Sequence, residues 1–91
     1  MRSIGKNRKD RLGRKQGLWE YYWMNGILYS KGSYMNGEKE GIWEYYYHNG
    51  QLNFKGLYKN GVRDGIWEYY YSNGKLVLKE LYENGDLIKE L

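Results

Sequence analysis

The chain contains no cysteine, so neither a disulfide framework nor a thiolate metal site can be built from it. Cysteine-free usage suits a reducing compartment, and a cytoplasmic location is the expectation. Only one histidine, His48, stands among the 91 residues. One imidazole cannot furnish a histidine metal cluster or a repeated His–carboxylate–nucleophile set. No apolar stretch approaches the roughly 18 residues that cross a membrane as a helix. The basic first sixteen residues lead into no apolar segment, so no secretory leader is expected. Helix formers are sparse. In their place stand 12 tyrosines, 4 tryptophans and 13 glycines, the composition of twisted strands and tight turns.

The formal net charge of +4 is unevenly placed. Residues 1–16 carry Arg2, Lys6, Arg8, Lys9, Arg11, Arg14 and Lys15 against Asp10 alone, whereas residues 17–91 carry eight basic and ten acidic side chains. This divides the chain into a basic N-terminal tail, 1–12, and one mildly acidic domain, 13–91.

That domain is repetitive. Gly17-Leu18-Trp19-Glu20-Tyr21-Tyr22 returns as Gly41-Ile42-Trp43-Glu44-Tyr45-Tyr46 and again as Gly65-Ile66-Trp67-Glu68-Tyr69-Tyr70, a period of 24 without a slip. The repeats lie near 17–40, 41–64 and 65–91. Asn-Gly recurs within them at 25–26, 36–37, 49–50, 60–61, 73–74 and 84–85. Gly13 lies 24 before Gly37, so a worn half-repeat is expected to begin in the basic segment. Asn-Gly is the preferred pair for a two-residue type I′ hairpin, where both positions need positive φ. The flanking runs are aromatic and β-branched, which predicts an all-β fold: a single-layer, twisted antiparallel meander of about seven strands.

A turn at Asn49-Gly50 sets Tyr47 opposite Leu52, Tyr45 opposite Phe54 and Trp43 opposite Gly56 on an inner face. Ile42 then faces Leu57, Glu44 faces Lys55 and Tyr46 faces Asn53 on an outer one. The same register predicts Glu20 opposite Lys31 and Glu68 opposite Lys79, and those residues are present. Trp19, Trp43 and Trp67 belong to the inner face with Leu28, Leu52 and Leu76. There Gly32 and Gly56, opposite Trp19 and Trp43, leave room for an indole over the backbone.

The frame Gly-x-Trp-x-x-Tyr-Tyr-x-Asn-Gly-x-Leu, followed by Lys-Gly-x-Tyr-x-Asn-Gly, resembles the MORN repeat. More narrowly it is similar to the variant in bacterial proteins labelled as YwqK-type antitoxin components. The likeness covers residues 17–91. It implies a scaffold for protein–protein contact, with a debated role in lipid binding, and it carries no residue-level site. Glu80 stands where Gly32 and Gly56 stand, as suits a capping repeat. Choline- and glucan-binding repeats also alternate Gly, Trp and Tyr-Tyr, but with a shorter period and with secretion signals.

No catalytic set emerges, and the protein is not expected to be an enzyme or to carry a cofactor or metal. Glu20, Glu44 and Glu68 have lysine partners, which lower a carboxyl pKa where acid–base catalysis needs it raised. Glu38, Glu40 and Asp64 are expected as solvated loop charges, and His48 as an exposed turn residue. The glycine spacings lack the Lys-Ser/Thr of a phosphate-cradling loop.

What remains is the outer face, with Tyr22, Tyr29, Tyr46, Leu57, Tyr70 and Val77 as the expected partner-binding residues. Tyrosine-rich faces suit protein interfaces, and a non-catalytic interaction module, a small inhibitor or antitoxin-like protein, is the leading expectation. The alternative is a protein that binds nucleic acid, or a nucleic-acid enzyme, through the basic tail and exposed tyrosines. Attachment of the tail to acidic lipid comes third. Self-association is open, because an open sheet has two edges to cover.

Overall fold

The computed structural model describes residues 6–91. Eight strands follow one another: β1 (Arg8–Lys9), β2 (Lys15–Tyr22), β3 (Leu28–Met35), β4 (Glu38–Tyr46), β5 (Leu52–Lys59), β6 (Val62–Tyr70), β7 (Leu76–Glu83) and β8 (Asp86–Glu90). Each is antiparallel to its neighbour, and they hydrogen-bond in chain order in one open sheet. β1 lies inside the basic segment, so the sheet begins earlier than the composition boundary at residue 12. There Asn7 exchanges hydrogen bonds with the Glu20 backbone, and the Arg8 carbonyl accepts the Trp19 indole N–H at 3.0 Å.

The Asn-Gly turns are of two kinds, which corrects the expectation of one. At 36–37, 60–61 and 84–85 both residues have positive φ, as in Asn60 (53°) and Gly61 (85°), and the strands close directly on a two-residue I′ turn. At 25–26, 49–50 and 73–74 only the glycine is left-handed. Here the Gly50 N–H donates to Tyr47 O and the Tyr47 N–H to Gln51 O, so the loop is the three residues His48-Asn49-Gly50. Asn49 braces it by accepting from the Gln51 N–H at 2.9 Å and donating to Ser72 O at 3.1 Å, one repeat on.

A third loop residue shifts the strand pairing by one, and a bulge shifts it back. Tyr46 therefore lies across from Leu52 rather than Asn53, whereas Tyr45↔Phe54, Trp43↔Gly56, Glu44↔Lys55 and Ile42↔Leu57 stand as expected. The same bulge recurs at Tyr29 and Val77. Directly opposed residues share a face. Leu28, Leu52 and Leu76 thus join Tyr22, Tyr46 and Tyr70 on the outer face, not the tryptophans on the inner one.

The core is an aromatic strip on the inner face. Trp43 and Trp67 are 1% and 0% exposed, and Trp19 is also buried. Rings step across the strands from Trp19 to Tyr34, Trp43, Tyr58 and Trp67 at 5.9, 5.1, 6.3 and 5.1 Å, each contact edge to face, a geometry aromatic quadrupoles prefer. The indoles cover the glycines, but each comes from the following repeat: Trp43 lies on Gly32 and Trp67 on Gly56, where a β-carbon would overlap the ring. The cause is a second irregularity. Gly41, Ile42 and Trp43 all fall between the paired positions Glu40↔Ser33 and Glu44↔Lys31, opposite Gly32 alone, and this swings Trp43 across the neighbouring strand. No tryptophan follows Glu80, and its carboxylate accepts from the Tyr82 hydroxyl instead.

Candidate protein-binding face

On the outer face the 24-residue period becomes three rows that cross the strands. The first is aliphatic: Leu18, Ile42 and Ile66, 40%, 59% and 51% exposed, with Leu57 and Leu81 half-buried opposite the two isoleucines. The second is charged and alternates in sign. Glu44 lies between Lys31 and Lys55 in register, and Glu68 between Lys55 and Lys79. Contacts run Lys6–Glu20 at 2.9 Å, Lys31–Glu44 at 3.7 Å, Lys55–Glu68 at 3.8 Å and Lys79–Glu68 at 3.6 Å. Glu20 and Glu44 thus bridge to a lysine on the side away from the turn partner predicted for them. The third row consists of the hairpin pairs Tyr22–Leu28, Tyr46–Leu52 and Tyr70–Leu76.

The rows are tied together. The Tyr22, Tyr46 and Tyr70 hydroxyls donate to Glu20, Glu44 and Glu68 at 2.7, 2.9 and 3.0 Å. Burial, helped by the Glu44 carboxylate, pushes the Tyr46 phenol up to about 12. The hydroxyl of Tyr22, then the ammonium of Lys6, hold Glu20 below its ordinary value. Glu20, Glu44 and Glu68 are thus each held in place by a tyrosine hydroxyl. A shallow depression of about 360 Å³ opens between Ile42, Glu44, Lys55, Ile66, Glu68 and Lys79.

Of the residues expected to bind a partner, Tyr22, Tyr46, Leu57 and Tyr70 lie on this face, Tyr22 exposed and the others half-buried. Tyr29 does not. Its bulge position turns the ring toward Trp23 and Tyr45, at 4.6 and 6.5 Å. Val77 occupies the equivalent bulge and is 41% exposed. His48 is exposed as the first residue of its three-residue turn, with its ring 3.9 Å from that of Trp23.

The basic segment is divided by the fold. Lys6 pairs with Glu20 and Arg14 with Asp10, and Arg8, Lys9 and Arg11 are exposed. Arg2 lies outside the described residues. Glu40 and Asp64 are strand residues rather than solvated loop charges, and they accept the Asn60 and Asn84 backbone N–H groups.

Lys15 belongs to a feature the composition hid. It rests over Trp19, Tyr21 and Tyr34 at 4.9, 5.4 and 5.0 Å, and Lys39 rests over Trp43, Tyr45 and Tyr58 at 4.8, 5.4 and 5.1 Å. Arg63 repeats the arrangement over Trp67 and Tyr82 at 4.2 and 5.2 Å. Each cation also donates to a tyrosine hydroxyl on Tyr21, Tyr45 or Tyr69. A cation over an aromatic ring gains roughly 0.5–2 kcal/mol, so these three cap the core. The available signal was a basic residue four before each repeat tryptophan.

The model of the MORN repeat variant family matches residues 15–36, 39–60 and 63–84. No curated protein and no solved structure matches the chain.

Proposed function

This chain belongs to the MORN repeat variant family, and we propose that it is a non-catalytic protein-binding module whose working surface is the outer face of the sheet. The supporting observation is the exposed aliphatic row Leu18, Ile42 and Ile66 on a face whose glutamates and tyrosines are already mutually ordered. Pre-ordered side chains lose little entropy on binding, and contiguous exposed apolar rows mark interaction sites. The inner face carries the packing of the fold. At the finer level, a small inhibitor or antitoxin-like protein is the reading that a compact, rigid face without catalytic chemistry suits best.

Nucleic acid is a weaker candidate. Lys6 and Arg14 are held in ion pairs and Lys15 over the aromatic core, so among the described residues of that segment Arg8, Lys9 and Arg11 are the exposed cations without such an engagement. The test captures partners from the native host on immobilised protein, beside melting curves. Ile66→Asp is expected to abolish capture of a protein that wild type retains, with little change in melting. Loss of capture only in variants that melt early, or salt-sensitive retention of an oligonucleotide unaffected by Ile66→Asp, would refute the assignment.

A further inference from the structure

The outer face is complementary to itself, and we infer that its partner is a second copy of this chain, stacked face to face. This inference rests on the outer face being the working surface. A one-layer sheet leaves an apolar face unpaired, and domains normally cover such a face with a second layer. What that layer must look like follows from the three rows.

Consider two sheets related by a two-fold axis that lies between them and parallel to the strands. The rotation keeps each row over its own row and reverses only the strand order. With the axis between β4 and β5, Glu44 meets Lys55 of the second copy, Lys31 meets Glu68 and Glu20 meets Lys79, because the charges alternate strand by strand. In the aliphatic row Ile42 meets Leu57 and Leu18 meets Leu81. In the third row Tyr46 meets Leu52 and Tyr22 meets Leu76, so each ring lies over a smaller chain.

Other axes fail. One running along a strand sets Glu44 over Glu44 or Lys55 over Lys55. One running across the strands puts every charge over its own kind. Carboxylates a few ångströms apart repel strongly once water is excluded. The junction of β4 and β5 is also the middle of an eight-stranded sheet, so the complementary seating is the one with fullest overlap. Stacked twisted sheets rotate by about 30°, which keeps the match closest for the central Glu44–Lys55, Ile42–Leu57 and Tyr46–Leu52 contacts. The molecule extends 42 by 32 Å along its longer axes, room for the roughly 800 Å² per partner that a stable interface takes.

The experiment is sedimentation equilibrium of the full chain, alone and in mixtures. Wild type is expected to be a concentration-dependent dimer. Glu44→Lys places two like-charge contacts in its own dimer, as does Lys55→Glu, and each alone is expected to dissociate at least about tenfold more readily. Mixed in equal amounts they restore both contacts, so a heterodimer of near wild-type affinity is expected. Ile42→Asp, at a 59% exposed position, serves as a second disrupting variant should either charge reversal fail to fold.

A wild type that stays monomeric at all concentrations, variants that dimerise as wild type does, or a mixture that gains nothing would each overturn the inference. If wild type is monomeric while Ile66→Asp still loses a captured protein, the second copy is wrong and the binding face stands. If both fail, the face itself is wrong.

Discussion

Gly56 has space for a hydrogen and nothing more, because the Trp67 indole lies where a β-carbon would go. Gly56→Ala is therefore expected to cost about 1–3 kcal/mol by forcing the ring or strand aside, read as a lowered denaturation midpoint. The two turn types separate just as sharply at single residues. Asn60 has φ 53°, so Asn60→Gly should be nearly neutral. Asn49→Gly deletes two side-chain hydrogen bonds and should lose roughly 1 kcal/mol or more.

Asp10 supplies a pH test. Its carboxylate accepts the Arg14 and Leu12 backbone N–H groups and side-chain bonds from Gln16 and Arg14, which bring it from 3.8 down to about 2. A depressed carboxyl stabilises the fold above its unfolded value, and that contribution disappears as pH falls through the folded one. The stability gap between wild type and Asp10→Ala should thus be full at neutral pH and close between 3.8 and about 2, as followed by acid denaturation. At this scale the sequence showed the Trp43–Gly56 and Glu–Lys hairpin pairs and which tryptophans are core. It mispaired Tyr46 with Asn53 and Glu80 with Lys89, whereas Tyr46 faces Leu52 and Lys89 faces Leu81. It concealed Tyr29's direction and the cation caps, since strict alternation ignores bulges and Lys15 was indistinguishable from its basic neighbours.

Among the elements, β1 changes the meaning of the N-terminal segment. By composition it is a tail, and removing residues 1–12 would then be harmless. In the structure that cut takes away β1, the Arg8 carbonyl that accepts the Trp19 indole N–H and the ion pair to Glu20. A chain starting at residue 13 should therefore melt earlier, with Trp19 fluorescence shifted to the red as the ring meets water. An unchanged melt would return β1 to the status of a tail. The hairpins themselves were legible because Asn-Gly and the period agree at every turn. The bulges were not, because a three-residue loop and a one-residue bulge cancel and leave the Trp–Gly and Glu–Lys pairs where a simpler hairpin would put them. Only the pair between the two irregularities, Tyr46–Leu52 and its equivalents Tyr22–Leu28 and Tyr70–Leu76, reveals the shift.

For the whole molecule, one layer divides its labour by face. Aromatic rings, capped by Lys15, Lys39 and Arg63, hold the fold on one side, and the three ordered rows on the other are the proposed binding surface. Trp43→Ala should destabilise by about 3–5 kcal/mol, whereas Ile42→Asp should leave folding nearly unchanged and act on association. The division of faces is tested most directly by covalent surface labelling, read by mass spectrometry on the dilute protein and again with its captured partner or second copy bound. Leu18, Tyr22, Ile42 and Ile66 are expected to label readily when free and to be protected on binding, while Leu12 and Met24, exposed elsewhere at 76% and 106%, stay unchanged. Protection confined to the Tyr34, Tyr58 and Tyr82 side or to β8, with Ile42 and Ile66 labelled as before, would contradict the account.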